Sequence, residues 1–498
     1  MKPPFAVHRP VWQRARRSLA LGLLTTACSF NSATGRLQLT TVSESQEVEL
    51  GRQTDAEVVE ALGLYDDEQL TALVERVGAE LASHSERPTL PWTFRVLDEP
   101  AVNAFALPGG YVYATRGLLV HLQSEHELAA VLGHEIGHVT ARHGVVQLRK
   151  SRVAAASVGV FRIVDPNLRH VGGLAASTAG LALLKHSRDD EFEADTLGLR
   201  YAGKAGYAPG AAVAVFDVLV GVSRVEQSER VPNWLSTHPD PEQRRTRVQS
   251  MVSAKAPTPP ELDEDYLAML DGVLYGEDPR NGFIVGTTFV HPRQGFRLDL
   301  PPGWQAMHQG PRVMAISEDE QALMVLTPTE AESGPKALED FFADGSMELG
   351  EQWKGQVGGF PVTSAGFSVT GSDGVLMGLI AFIDYGEEVM ALAAMGPQKG
   401  WTERSPAVAT TFASFYRAER GLARVEPMRV RTSALSADTT LAKVDEAHPS
   451  AIELSRLALL NAVDAEAVLA EGTVIKRVEG FNPRAVEPST PSAPGTAP

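Results

Sequence analysis

One cysteine, Cys28, is present among 498 residues, so an internal disulfide framework is excluded. Basic residues are in deficit, 45 Lys and Arg against 62 Asp and Glu, for a net charge of −17. That balance argues against a nucleic acid or an anionic lipid surface as partner. Long apolar runs are also missing. Val153–Val164 and Val171–Leu184 are Ala/Gly-rich stretches of 12 and 14 residues, and the first contains Arg162. A spanning helix needs roughly 20 apolar residues, so these read as buried or cleft-covering helices. No internal repeat appears, so no helical-repeat tail is expected. Hydrophobic content of 43% is ordinary for a soluble globular protein, and the length suggests about three domains.

What is there centres on Ser124–Arg142, SEHELAAVLGHEIGHVTAR. Leu128, Val131, Leu132, Ile136 and Val139 recur at helical spacing, which predicts a buried amphipathic helix. Ser124 and Glu127 are placed to open it as a capping box, and Gly144 to close it. Within the helix, His134, Glu135 and His138 form H-E-x-x-H. Residues four apart share one face, so both imidazoles can reach one zinc ion, with Glu135 turned toward the same opening as a base for water. The composition would yield such a motif by chance in roughly a few per cent of chains of this length. Here it falls in an apolar, glycine-punctuated helix, where unpaired polar groups are costly.

The metzincin continuation is absent, because Ala141 and Gly144 stand where its glycine and third histidine belong. About fifty residues downstream, SRDDEFEAD places Glu191 and Asp195 four apart, on one face of a second helix. One carboxylate can ligate zinc while the other holds a ligand histidine by its outer N–H.

Together, NAFALPGGYVYATRGLL, HEIGHVTARH and SRDDEFEAD resemble the gluzincin zinc metallopeptidases of the HtpX, Oma-type, CAAX prenyl protease and BepA-like group. The resemblance covers residues 45 to 250. It implies that His134, His138 and Glu191 are ligands of one Zn2+, Glu135 the general base and Asp195 the partner of His134. It also implies that Asn103-Ala104-Phe105 lines the cleft and pairs with substrate backbone. A similar S-T-H-P…R segment runs through His238 and Arg244. There the histidine either caps the zinc in a resting state or structures the loop, and both readings stand. His238, Arg244 and Arg245 are candidates for stabilising the oxyanion.

Residues 1–28 read as a targeting segment, with Arg9, Arg14, Arg16 and Arg17 before the apolar Leu19–Thr26. Cys28 sits where a lipoprotein's acylated cysteine would be, after an imperfect lipobox with Thr25 in an aliphatic position. The expected location is the periplasm, with a lipid anchor in the outer membrane as the only membrane contact. Secretion as a soluble protein is the alternative.

Ser29 to Leu50 reads as a polar, exposed lead-in. Helices are predicted at Glu57–Leu62 and Asp66–Ala82. Strands are predicted at Trp92–Leu97, Ala101–Ala106 and Tyr111–Thr115, the last two around a Pro108-Gly109-Gly110 turn. With the resemblance above, these elements predict an α+β zincin-type metallopeptidase domain over residues 29–253. A proline-rich linker (254–288) follows, with an acidic helix at Glu261–Leu270. Alternating runs from Phe289 to about residue 420 predict an accessory α/β sandwich-like domain with a mixed sheet. Residues 425–480 resemble a LysM module that binds N-acetylglucosamine-containing glycans such as peptidoglycan, although Ala437 replaces the glycine before Asp438. A plain βααβ packing module is the alternative. The Pro/Ser/Ala-rich tail, 481–498, reads as disordered.

The whole predicts a zinc endopeptidase acting on misfolded or stalled envelope proteins. The rival is a non-proteolytic outer-membrane assembly factor or chaperone with a plugged zinc site. Intact Glu135 argues against the rival, since a structural site has no use for a base.

Overall fold

The computed structural model describes residues 28–39, 42–147, 186–226, 237–252, 263–309, 312–343, 345–371, 374–418 and 425–481. The leader, the two apolar runs and the tail expected as disordered lie almost wholly outside these residues. The chain divides into two compact units, one holding the described residues up to Asp263 and the other those from Glu264 onward.

The first unit opens with a hairpin of β1 (Cys28–Asn31) and β2 (Arg36–Leu39), followed by α1 (Glu44–Leu62) and α2 (Glu68–Ser83). Asp67 caps α2 by accepting from the amides of Gln69 and Leu70. The exposed lead-in is thus corrected: Glu44–Leu50 is helix, and Glu47 is buried. A charge buried from both ends of the fold explains it. Glu47 accepts from Arg87 Nη1 and Nη2 at 2.9 and 3.1 Å, and Arg142 Nη2 lies 3.0 Å away. Neither the carboxylate nor its arginines reveals that pairing at a sequence separation of 40 and more. Asp55, one face on, accepts from Arg95 (2.7 and 2.9 Å) and from the Tyr113 hydroxyl (2.7 Å), tying α1 to the sheet.

That sheet has β3 (Thr93–Leu97), β4 (Ala104–Leu107) and β5 (Tyr111–Thr115) in the order β3-β5-β4, with β3 parallel and β4 antiparallel to β5. Gly109 and Gly110 turn the β4–β5 hairpin at φ 88° and 101°, backbone angles that favour glycine. After the short α3 (Arg116–His121) comes α4 (Glu125–Thr140), the H-E-x-x-H helix. Ser124 caps it by accepting from Glu127 N, but the Glu127 carboxylate reaches back to Gln123 N, one residue before the expected amide. Gly144 does not close α4: the helix ends at Thr140, and Arg142 adopts the left-handed turn at φ 61°. Next come α5 (Arg188–Lys204), capped by Ser187 and Asp190, then α6 (Ala211–Glu226) and α7 (Pro241–Met251).

Helices α4 and α5 touch backbone to backbone. A Cβ on Gly137 would sit 2.9 Å from the Ala194 carbonyl, and one on Gly198 would sit 2.8 Å from His134 N. Glycine costs a helix interior about 1 kcal/mol against alanine, so the packing must return more than that.

The second unit begins with α8 (Glu264–Met269), inside the span Glu261–Leu270 where the sequence predicts an acidic helix within the linker. Two β-sheets follow, both antiparallel throughout rather than mixed. The smaller contains β6 (Phe283–Val285), β7 (Thr288–His291) and β8 (Phe296–Asp299). The larger begins with β9 (Gln305–Gln309), β10 (Arg312–Ile316) and β11 (Leu323–Thr329), then α9 (Gly334–Phe341) intervenes. It continues with β12 (Glu348–Val357), β13 (Phe360–Gly371), β14 (Gly374–Tyr385) and β15 (Glu388–Pro397), in the order β12-β13-β14-β15-β11-β10-β9. Then come α10 (Trp401–Ala413) and β16 (Tyr416–Arg417), which pairs with β8.

Last come β17 (Arg429–Ala434), β18 (Thr439–Thr440), α11 (Leu441–Ala447), α12 (Leu454–Leu460), β19 (Val468–Leu469) and β20 (Val474–Glu479). Strands β17 and β20 pair antiparallel around the two helices, a βααβ order. The chain after α8 joins this module: Gly272 N donates to Val430 O, and Val430 N to Val273 O.

The glycine contact makes a prediction. Gly198→Ala and Gly137→Ala should each destabilise the first unit by about 1–3 kcal/mol in chemical denaturation, because the added methyl meets backbone that cannot step aside. Gly144→Ala, whose Cβ would find Pro108 side-chain atoms at an ordinary 3.4–3.5 Å, should be near neutral. Equal effects at all three positions would refute the close-contact account.

Candidate metal centre and cleft

Because α4 and α5 lie so close, side chains one turn apart on each converge between them. His134 Nε2 and His138 Nε2 face each other at 3.0 Å. Glu191, in the first turn of α5 and fully buried, sets one oxygen 3.4 Å from His134 Nε2 and the other 3.4 Å from His138 Nε2. His238, just ahead of α7, brings Nδ1 within 3.1 Å of Glu191 Oε1 and 3.5 Å of His134 Nε2. Donor atoms of all four side chains lie within 4.8 Å of one another. Three imidazoles and a carboxylate facing one point are the donor set of a zinc ion. The buried His238 Nε2, without a hydrogen-bond partner among the described residues, faces Glu135 Oε1 at 3.7 Å. The residues fit the ion that the sequence implies.

Behind the convergence sits a layer that fixes it. Asp195 Oδ1 lies 3.0 Å from His134 Nδ1, the outer nitrogen. Arg244 donates to both Asp195 oxygens, at 3.0 and 2.7 Å, and its Nη1 lies 2.6 Å from Glu191 Oε2. Arg244 is therefore committed to the two carboxylates while it also contributes to the lining of the cleft. Arg245 turns away to an exposed pair with Asp217 at 2.6 Å. A guanidinium beside buried carboxylates, as Arg244 is, is held by the charges it neutralises, and of the two arginines only Arg244 stays at the cleft as an oxyanion candidate.

The charges set the titrations. Burial opposes ionisation of Glu191, but His238 and Arg244, with hydrogen bonds to His134 and His138, hold it well below the usual carboxylate range. Asp195 is likewise opposed by burial and brought down to about 2 by Arg244 and His134. Burial and the nearby guanidinium depress His134, yet hydrogen bonds to Asp195 and Glu191 prevail and push it up to about 9. Burial and neighbouring His186 lower His138 well below its ordinary value.

The sheet supplies the cleft wall. Asn103 and Ala104 line a cleft of about 720 Å³ together with His134, Glu135, Val131 and Phe216. Asn103 is tied back to β5: its N–H donates to Thr115 Oγ1, and its carbonyl accepts from Thr115 N, both at 3.1 Å. Alternation along an antiparallel pair then turns the Ala104 N–H and carbonyl away from β5, on the free edge of the sheet.

Two buried histidines at the centre escape the sequence reading. His143 stands 2.9 Å from His138, Nδ1 to Nδ1, and the His186 ring stacks on His138 with centroids 3.8 Å apart. The available signal is the third histidine of HEIGHVTARH, five residues past His138.

A pH dependence follows from His134. Its imidazole carries a proton below about pH 9 when no metal is held, and a cation at Nε2 must displace that proton. Apparent zinc affinity should rise about tenfold per pH unit between pH 6 and 8, measured by chelator competition. An affinity flat across that window would refute the assignment.

The profile of peptidase family M48 matches residues 68–252. The beta-barrel assembly-enhancing protease of Escherichia coli (strain K12) is 29% identical over 234 residues, covering 45% of this chain and 48% of that protein. A putative beta-barrel assembly-enhancing protease of Vibrio cholerae is 34% identical over 195 residues, 37% of this chain and 39% of that one. The mitochondrial metalloendopeptidase OMA1 of Arabidopsis thaliana is 33% identical over 182 residues, 36% of each chain. The chain spans about half the length of these relatives, or less. Residues 68–252, which contain all four converging side chains and the edge strand beside them, are a peptidase domain of family M48.

Proposed function

We propose that this chain is a zinc-dependent endopeptidase of the cell envelope that cleaves misfolded or stalled envelope proteins. The observation that carries the reading is Glu135. It is buried on α4 between two converging imidazoles and the cleft, where a purely structural metal site would have no use for a carboxylate. His134, His138 and Glu191 would hold zinc, with Asp195 orienting His134 through its outer nitrogen. When bound, zinc supplies a Lewis acid and lowers the pKa of water to about 7. Glu135 takes the proton of the attacking water and passes it to the leaving amine. The outward N–H and carbonyl of Ala104 offer an extended substrate one rung of strand pairing beside that base.

His238 favours a second feature. Its imidazole sits among the ligands as a fourth donor, which supports the resting-state cap over a loop-structuring role and gives the assembly-factor reading its one support. A fourth protein ligand closes the position that catalysis needs open, so the segment before α7 must withdraw for turnover.

One experiment separates these readings. Glu135→Gln should keep about one zinc per chain and lose cleavage of casein, whereas Glu191→Ala should weaken zinc binding itself. His238→Ala should raise basal cleavage. Cleavage retained by Glu135→Gln would overturn the hydrolytic mechanism. A zinc-loaded chain that cleaves nothing, even as His238→Ala, would leave the assembly-factor reading standing.

The envelope setting rests on the leader and on relatives whose name joins proteolysis to β-barrel assembly. No described helix is long and apolar enough to cross a membrane. Anchoring through Cys28 predicts acyl mass on an N-terminal Cys28 in mass spectrometry, and an unmodified mature N-terminus would refute it. Glycan binding by residues 425–480 is part of the same proposal. It predicts that the chain co-sediments with purified peptidoglycan and is released by chitin oligomers.

A further inference from the structure

We infer that His143 is a positioning residue for the metal centre: it fixes the tautomer and ring orientation of His138, and Glu193 fixes it in turn. The inference rests on the zinc reading above and concerns residues that reading does not use. His138 turns Nε2 toward Glu191 and His134. A cation at that point takes the Nε2 lone pair, so the single proton of neutral His138 must sit on Nδ1. That Nδ1 lies 2.9 Å from Nδ1 of His143, itself only 4% exposed. An N–H on His138 requires a lone pair on His143 Nδ1, which places the His143 proton on Nε2. That atom faces Glu193 Oε2 at 3.3 Å and Asp190 Oδ1 at 3.6 Å. Each proton along the line from metal to carboxylate then has one place to be.

The two imidazoles of α4 are thus supported differently. His134 leans directly on a charged carboxylate, Asp195, which Arg244 pins. His138 reaches its carboxylate through a neutral ring. His143 is placed for this by the end of α4, where left-handed Arg142 lets the chain turn back and offer the next residue to the same helix face. Glu193 comes from the first turns of α5, two residues past Glu191, so one helix serves both ends of the line.

The same three histidines, His138, His143 and His186, could instead hold a second metal ion. Ring geometry favours the proton over the ion. His186 and His138 stack at 3.8 Å with planes 21° apart. Imidazole lone pairs lie in the ring plane, so two nearly parallel stacked rings aim past each other and not at one point about 2.0–2.1 Å from both nitrogens.

The test uses the full chain and zinc alone, with affinity read by chelator competition and stoichiometry by metal analysis. His143→Leu removes the acceptor and should weaken zinc binding about ten- to a hundredfold. His143→Asn places an amide oxygen where Nδ1 stood and should stay close to native affinity. Glu193→Ala should weaken binding by less than His143→Leu, and thermal melts of the zinc-free forms show whether each variant folds. Nitrogen-15 NMR of histidine-labelled, zinc-loaded protein should find the His143 proton on Nε2 and its Nδ1 bare and accepting from His138, a signature that a merely structural role for His143 would not fix. Native affinity in His143→Leu would overturn the inference, as would an Asn variant that folds but binds as weakly as Leu. Two zinc ions per native chain would replace it with the second-metal site. A native chain that binds no zinc would instead defeat the metallopeptidase reading itself, whatever the variants do.

Discussion

The distance between α4 and α5 governs everything at the candidate site. Two imidazoles on one helix and two carboxylates on another meet around one point only if the axes approach until backbone touches backbone. Gly133, Gly137 and Gly198 permit that approach, since even a methyl group at Gly198 would press on His134 N. The same glycines that weaken each helix locally are therefore part of the chemistry. Local propensity yields to tertiary contact here, as it does where a site must be assembled tightly.

Closeness has an electrostatic consequence. Glu191 and Asp195 are withdrawn from water, and isolated buried carboxylates would protonate or open the structure. Arg244 prevents this by reaching both, while His134 bridges them from the other side. Its own cation is held by the same pair against the penalty of burial. One positive charge behind two negative ones leaves the front of the cluster short of positive charge, which is where the imidazole lone pairs face. The protein builds in one permanent cation and leaves the remaining deficit to be met by an ion.

How much of this is legible in the sequence depends on how local each signal is. H-E-x-x-H and E-x-x-x-D are helical spacings, so the amino-acid order alone names their residues and puts them on shared faces. The two strands around Pro108-Gly109-Gly110 are legible for the same reason. Arg244 is visible in its motif, but its role is not, because its partners lie 49 and 53 positions back on another helix. Glu47 looks like a surface residue, since it stands in an acidic run with Glu44 and Glu49 and its two arginines come from distant segments. His143 lies in the same motif as His134 and His138, yet its placement depends on a left-handed residue after α4, which spacing alone does not announce. In the second unit, alternation locates strands but not their directions, because the pairing partner and not the strand decides parallel or antiparallel.

If the domain acts as a peptidase, the layout also constrains what it can cut. At the start of β4 the backbone turned toward the cleft is the outward pair of groups on Ala104, since those of Asn103 are bonded to Thr115. A polypeptide can accept that rung only where its own N–H and carbonyl are free, in extended conformation and without secondary structure of its own. Native helices have no such groups, and native strands offer them only at exposed edges, which folded proteins keep short or covered. Chains that have failed to fold offer them along most of their length. A preference for misfolded substrates thus needs no recognition element beyond an edge strand set beside a buried base.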